Sequence, residues 1–297
     1  MPRRTANAPG PTDRAVPVGT ATEWREDGSR DSPSIHDRSR STRPESSLGR
    51  FHGLVQTLAD RELAVICPDL RGHGGSGPTA DAGGRWSYDD LVDHDVPTLV
   101  AFARRRFPNL PVVALGHSLF GHVMIAHLAR HNPHLVDGVA LLACNIVSRA
   151  WRDAPFSSAL ASSLIGLMAA ASLPFGRFPA RLLRIGNQDE AMPYVLDFFR
   201  WIRLGDWVAQ DGFVYTNGVQ QIRVPVAAWV GAGDRILSTP AAADAFIKLV
   251  DPSKRVRVVG RNTGLSFDPG HMELATDLRC RPVWEEIAQF VLLAQRR

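Results

Sequence analysis

The sequence predicts an α/β protein with a doubly wound, mostly parallel sheet. Apolar runs of strand length alternate with amphipathic helical segments, and these runs are continuous, as is typical of strands covered by helices on both faces. One long stretch, residues 146–222, interrupts this rhythm and is rich in aromatic residues. We expect it to form a helical cap at the carboxyl edge of the sheet, where open α/β sheets bind ligands.

The predicted elements follow in order along the chain. The first helix lies in "FHGLVQTLADREL", where apolar residues recur at helical spacing. Further helices are predicted in "SYDDLVDHDVPTLVAFARRRFP", with a bend near Pro97, in "LFGHVMIAHLARHNP" and in "RPVWEEIAQFVLLAQ". Five strands are predicted, in "LAVICPDL", "LPVVALGHS", "VDGVALLACN", "VPVAAWVGAGD" and "KRVRVVG".

These elements divide the chain into three parts. Residues 50–145 and 223–297 form the predicted core, and residues 146–222 form the predicted cap. Residues 1–49 have almost no apolar periodicity. Such a segment cannot bury enough surface to offset its ordering entropy, so we expect it to be disordered.

Composition limits the classes of partner and compartment. The net charge of +4 is carried almost entirely by arginine, and no window interleaves basic with aromatic residues, so nucleic-acid binding is not expected. Three scattered cysteines predict no disulfide framework and a reducing, cytoplasmic location. The most apolar stretch, residues 157–175, is interrupted by five serines, which does not favour stable insertion into a membrane.

A candidate nucleophile lies in "ALGHSLFGHV". Ser118 directly follows a predicted buried strand and precedes a helix, which is the context that gives a Gly-x-Ser-x-Gly pattern its meaning. The backbone N–H of Leu119 would then donate to an oxyanion. The alternative is a serine that only caps a helix.

A serine needs a base, and with this strand–turn–helix arrangement the chain order is serine, acid, histidine. His271 is the one histidine that follows His134, so it is the predicted general base. Asp234 directly follows the strand "VPVAAWV" and is the predicted acid that orients the imidazole. Four other aspartates compete for this role without following a buried strand: Asp206, Asp211, Asp251 and Asp268.

Two further patterns have simpler explanations. His127 and His131 lie one helical turn apart, but the glutamate of a zinc-binding His-Glu-x-x-His motif is absent. The glycines of "RGHGGSG" are not followed by the Lys-Ser/Thr of a phosphate-binding loop. We therefore expect no metal, and we expect the glycines to shape a loop beside the pocket.

The blocks "DLRGHGGSG", "GHSLFG", "GAGDRIL" and "DPGHMEL" together resemble the successive signatures of the α/β-hydrolase superfamily, of the serine esterase and lipase type, over residues 51–297. The resemblance implies a capped serine hydrolase that needs no cofactor and cleaves a carboxylic ester of a hydrophobic small molecule or lipid through an acyl-enzyme. Two alternatives stay open: a non-catalytic or inactivated relative, and an acyltransferase or C–C bond hydrolase that uses the same triad.

The sequence departs from that family twice. The His-Gly loop that would supply a second oxyanion donor should fall near residues 35–42, where the chain reads "SIHDRSRS". We therefore expect the first strands and this donor to be missing, residues 1–48 to differ from the family's original N-terminus, and activity to be impaired. The second departure is Phe120, which stands where the motif has glycine; on the sequence alone, Phe120→Gly should preserve or raise activity.

Overall fold

The structure is a computed structural model that describes residues 14–17, 47–146, 163, 166–168, 170, 172–183 and 188–294. The core is a parallel sheet of four strands in the order β3-β4-β7-β8. These strands are β3 (Val113–His117), β4 (Gly138–Leu142), β7 (Val226–Gly231) and β8 (Arg257–Val259). Every neighbouring pair in this sheet is parallel, which confirms the predicted fold class.

Two further strands lie beside this sheet. β1 (Arg14–Pro17) pairs in parallel with β2 (Leu63–Ile66), and β1 also lies against β3. The disorder expected for residues 1–49 stays a prediction, although Arg14–Pro17 are in a strand ladder. A four-residue strand is too short to show a periodic pattern, so this strand is not predicted from the sequence. Residues 1–13 and 18–46 lie outside the described residues.

Helices cover both faces of the sheet. On one face, α2 (His52–Ala59) packs with α10 (Arg281–Ala294), and their apolar residues form one core cluster with alternate strand residues such as Leu115 and Leu142. On the other face lie α4 (Val96–Arg106), α5 (Leu119–Arg130) and α8 (Pro240–Val250). They form the larger cluster with the intervening strand residues.

The predicted bend near Pro97 has a specific structure. The short helix α3 (Tyr88–Asp90) runs into one π-helical stretch, Leu91–Asp95, and α4 then begins at Val96. Proline has no N–H to donate to the carbonyl four residues earlier, so an α-helical ladder through Pro97 would lack a bond. The π turn lies immediately before that position.

The described part of the predicted cap contains a small antiparallel ladder and two helices. β5 (Arg177–Phe178) pairs with β6 (Glu190–Ala191), and α6 (Met192–Leu204) and α7 (Tyr215–Gly218) follow. Trp201 and Trp207 are buried against Tyr88, so this part is anchored to the core through aromatic side chains. Its placement over the carboxyl edge stays a prediction.

The remaining short helices are α1 (Ser47–Arg50), before α2, and α9 (Glu273–Thr276), after β8. Within the described residues, no helix combines the length and the apolarity needed to cross a membrane.

Candidate active site

Ser118 lies at a sharp turn between β3 and α5. Its backbone has φ 51° and ψ −119°, a conformation that L-residues adopt at a cost of about 1–3 kcal/mol and that is concentrated at functional sites. The hydroxyl makes no capping hydrogen bond to α5. The alternative of a simple helix-capping serine therefore does not describe this residue.

Close packing of strand and helix holds this turn. A Cβ added to Gly116 would lie 2.4 Å from the Cα of Gly121, and a Cβ added to Gly121 would lie 2.1 Å from Cys144 Sγ. The Cys144 thiol also lies 3.2 Å from the Ser118 carbonyl oxygen. Both glycines are needed because β3 and α5 approach one another here with no room for side chains.

Phe120, the residue that departs from the sequence motif, points into the protein. It is 2% exposed and belongs to the larger core cluster. Gly121, one residue later, supplies the close approach that the motif requires of a glycine. The phenyl ring is therefore a core side chain, and the expectation that Phe120→Gly would be harmless has no support from this packing.

His271 follows β8 and reaches the serine. Its Nε2 lies 2.8 Å from Ser118 Oγ, and its Nδ1 lies 2.6 Å from Asp234 Oδ2. Asp234 follows β7, which lies next to β8 in the parallel sheet. The loops after β7 and β8 therefore emerge at the same edge as Ser118. The structure thus brings together the three side chains that the sequence singles out.

Asp234 is held as a carboxylate. Its side chain is 2% exposed, and its second oxygen accepts hydrogen bonds from the N–H groups of Leu237 and Ser238 at 3.1 and 3.0 Å. Burial acts to raise the pKa of Asp234, but the bonds from His271 and these N–H groups outweigh it and lower the pKa below its ordinary value. The carboxylate therefore accepts a hydrogen bond from Nδ1–H and fixes the tautomer that leaves Nε2 free to accept from Ser118.

The competing aspartates are bonded elsewhere. Asp268 accepts from the Arg261 N–H, Asp211 pairs with Arg130, and Asp251 accepts from Ser253. Asp206 accepts from the Trp207 N–H and the Thr216 hydroxyl. Among these five carboxylates, Asp234 makes the contact with His271.

Leu119 is the first residue of α5. The first N–H groups of a helix have no intrahelical acceptor, so the Leu119 N–H is not used within α5, and its role as an oxyanion donor stays a prediction. The segment predicted to lack the second donor, residues 35–42, lies outside the described residues, and impaired activity stays a prediction.

His117 makes a contact that the sequence motif does not indicate. Its Nε2–H donates to the backbone carbonyl oxygen of His271 at 2.9 Å. Because His117 directly precedes Ser118, the sequence indicates that it lies near the site. It does not show which backbone atom the His117 side chain reaches.

His127 of α5 and His131, which directly follows that helix, have other partners. His127 Nδ1 donates to the Val92 carbonyl oxygen at 2.7 Å, and His131 Nε2 lies 2.6 Å from Asp93 Oδ1. Within the described part of the chain, no group of three or more histidine, cysteine or acidic side chains could hold a metal ion.

A parallel sheet with a strained serine turn at the carboxyl end of β3 is the arrangement of an α/β-hydrolase. The comparisons agree with this class. A family model described as "Serine aminopeptidase, S33" matches residues 44–261, which is most of the chain. The protein belongs to this family of hydrolases.

Individual similar proteins match this chain over a short segment or at low sequence identity. A monoacylglycerol lipase from Mycolicibacterium smegmatis is 39% identical over 85 residues, which are 28% of this chain and 29% of that protein. A thermophilic esterase from Thermogutta terrifontis superposes with a TM-score of 0.55 at 16% identity, over 96% of this chain and 91% of its own. A lipase-esterase related protein from Clostridium acetobutylicum gives 0.53 at 16% identity, over 94% and 95%.

Proposed function

We propose that the protein hydrolyses a carboxylic ester of a hydrophobic small molecule or lipid through an acyl-enzyme on Ser118. The observation that carries the proposal is the pair of hydrogen bonds at His271, which accepts from Ser118 Oγ at 2.8 Å and donates to Asp234 Oδ2 at 2.6 Å. A nucleophile, a base within hydrogen-bond reach and a third group that orients the base form the pattern of nucleophilic catalysis.

In the first half-reaction, Ser118 Oγ attacks the ester carbonyl carbon while His271 Nε2 takes the hydroxyl proton. The carbonyl oxygen becomes an oxyanion that the Leu119 N–H stabilises. The C–O bond to the alcohol then breaks, the alcohol oxygen takes the proton from His271, and the acyl group remains on Ser118. Asp234 stabilises the imidazolium throughout this transfer.

In the second half-reaction, water attacks the acyl-enzyme. His271 accepts one proton from the water, the C–O bond to Ser118 breaks, and the same proton returns to Oγ. The products are the carboxylic acid and the free enzyme. The Asp234 carboxylate faces the same charge change twice, so its loss should affect both steps.

Apolar side chains beside the site support a hydrophobic acyl or alcohol group. Ile236 and Leu237, which follow Asp234 and Arg235 in the chain, are 83% and 58% exposed, and Met272 is 38% exposed. We infer that these side chains contact the apolar part of the substrate. The similarity to a monoacylglycerol lipase points to the same substrate class.

A fluorophosphonate probe tests the nucleophile. We expect the probe to phosphonylate Ser118 Oγ with loss of fluoride, and peptide mass spectrometry to locate the label. Ser118→Ala should abolish labelling, whereas Ser253→Ala, a change at an exposed serine bonded to Asp251, should leave it unchanged. Folded protein that takes up no label would be a non-catalytic relative and would contradict the proposal.

A series of p-nitrophenyl esters of increasing acyl length tests the substrate class. Burial of each methylene stabilises the bound state by about 0.8 kcal/mol, so kcat/KM should rise up to about fourfold per methylene over the short chains. Leu237→Ser should flatten that rise, while its backbone carbonyl keeps the bond from Asn145. A rate that falls from acetate onward would exclude a hydrophobic acyl group.

A further inference from the structure

We propose that His117 is a positioning residue that holds the backbone of the His271 loop at the distance that proton transfer from Ser118 requires. This inference rests on the proposed hydrolase function and adds a residue to it. His117 touches neither the Ser118 hydroxyl nor the Asp234 carboxylate in the hydrogen bonds of the described chain; it acts through the carbonyl oxygen of His271.

The bond itself is well placed for this role. His117 is the last residue of β3, and its Nε2–H donates to the His271 carbonyl oxygen at 2.9 Å. Among the described residues, no other donor reaches that oxygen. Removal of the imidazole would leave a carbonyl at the edge of the site without a partner, which is costly for a part-buried group.

The contact joins the same two segments that the catalytic hydrogen bond joins. The Ser118 hydroxyl bonds the side chain of His271, and the neighbouring side chain of His117 bonds its backbone. The bonds to Ser118 and Asp234 orient the ring of His271 but do not hold its backbone. With the bond from His117, the backbone of His271 is also fixed against the end of β3.

His117 stays neutral in this position. Its ring lies between those of Phe51 and His271, at 5.8 and 5.0 Å between centroids. Burial, then the charges of His271 and Arg50, lower the pKa of His117 to about 4, against a smaller opposing effect of Asp234 and of the bond to the His271 carbonyl. A neutral ring keeps a second positive charge away from His271 when it takes the serine proton.

Two variants separate positioning from packing. His117→Phe keeps a planar ring but cannot donate, whereas His117→Gln carries a side-chain N–H that can reach the same carbonyl. We expect His117→Phe to lower kcat and the rate of fluorophosphonate labelling about 10- to 100-fold with little change in KM, because a small misplacement of a catalytic group has effects of this size. His117→Gln should recover most of the loss, and Phe51→Leu, which changes the packing alone, should label at the unaltered rate.

A spectroscopic measurement on the unaltered protein does not depend on how any variant folds. Nitrogen-15 NMR of labelled histidines should show His117 as the neutral Nε2–H tautomer from neutral pH down to about 4. The Nδ1–H tautomer cannot make the bond and would overturn the proposal. If His117→Phe is labelled as fast as the parent protein, the positioning role is overturned and the hydrolase function stands. If the parent protein itself takes no label, the hydrolase function is refuted, and the role of His117 with it.

Discussion

Phe120 provides a sharp test of the packing around the nucleophile. The motif alone suggests that Phe120→Gly restores a missing glycine, but the structure predicts a large loss of stability. The phenyl ring is 2% exposed in the larger core cluster, and a Phe→Ala change at such a position costs about 3–5 kcal/mol. Glycine within a helix adds about 1 kcal/mol, so Phe120→Gly should lose about 4–6 kcal/mol of a total near 5–15 kcal/mol.

Urea unfolding followed by far-ultraviolet circular dichroism measures this loss. Phe120→Ala should shift the midpoint to lower urea without a change in slope, and Phe120→Leu, a milder change of shape, should cost less than about 1.5 kcal/mol. If Phe120→Ala loses less than about 1 kcal/mol, the ring does not fill the core in the way described, and Phe120→Gly becomes a reasonable route to higher activity.

Three further predictions concern the turn, the acid and the buried histidine of α5. Gly121→Ala should cost about 1–3 kcal/mol in urea unfolding, because its Cβ would meet Cys144 Sγ at 2.1 Å, whereas Gly75→Ala, with no heavy atom within 4 Å, should be nearly neutral; equal effects would contradict the close approach. Asp234→Asn should lower kcat by about 10,000-fold through loss of the correct imidazole tautomer, and near-normal ester turnover in this variant would exclude Asp234 as the orienting acid. Burial lowers the pKa of His122 to about 3. As the pH falls below the ordinary pKa of histidine, the unfolded chain binds a proton at this residue that the folded chain does not bind. The contribution of the neutral ring to stability is therefore fully present above the ordinary pKa and is lost toward pH 3. His122→Phe should therefore reduce the dependence of the unfolding free energy on pH by about 1.4 kcal/mol per pH unit on the acid side. The range to measure is about pH 4 to 6, which lies between the lowered and the ordinary pKa of histidine. An unchanged slope there would show that this ring is not buried in its neutral form.

The sheet and the site could be predicted because their signals are local. Each buried strand is a continuous apolar run bounded by turn residues, and the strands β3, β4, β7 and β8 fall inside the predicted stretches. Parallel strands place their carboxyl ends at one edge. Side chains that directly follow β3 and β7 were therefore expected to meet, and Ser118, Asp234 and His271 do so.

Other features depend on contacts that no local pattern contains. The strand at Arg14–Pro17 is specified by its pairing with β2 rather than by its own four residues. Phe120 occupies a glycine position in the motif, but whether its ring enters the core is decided by the path of α5 relative to β3. The bond from His117 to the His271 carbonyl joins residues 154 apart in the chain, and spacing in the sequence carries no information about it.

The long sequence separation within the site has a consequence for folding. The hydrogen bonds of His271 reach back 153 residues to Ser118 and 37 residues to Asp234, so they form only after β3, β7 and β8 have assembled. Contacts of this separation are entropically expensive and form late. Reactivity of Ser118 toward a probe would thus report on completion of the whole sheet, and during refolding it should recover after helical circular dichroism has returned.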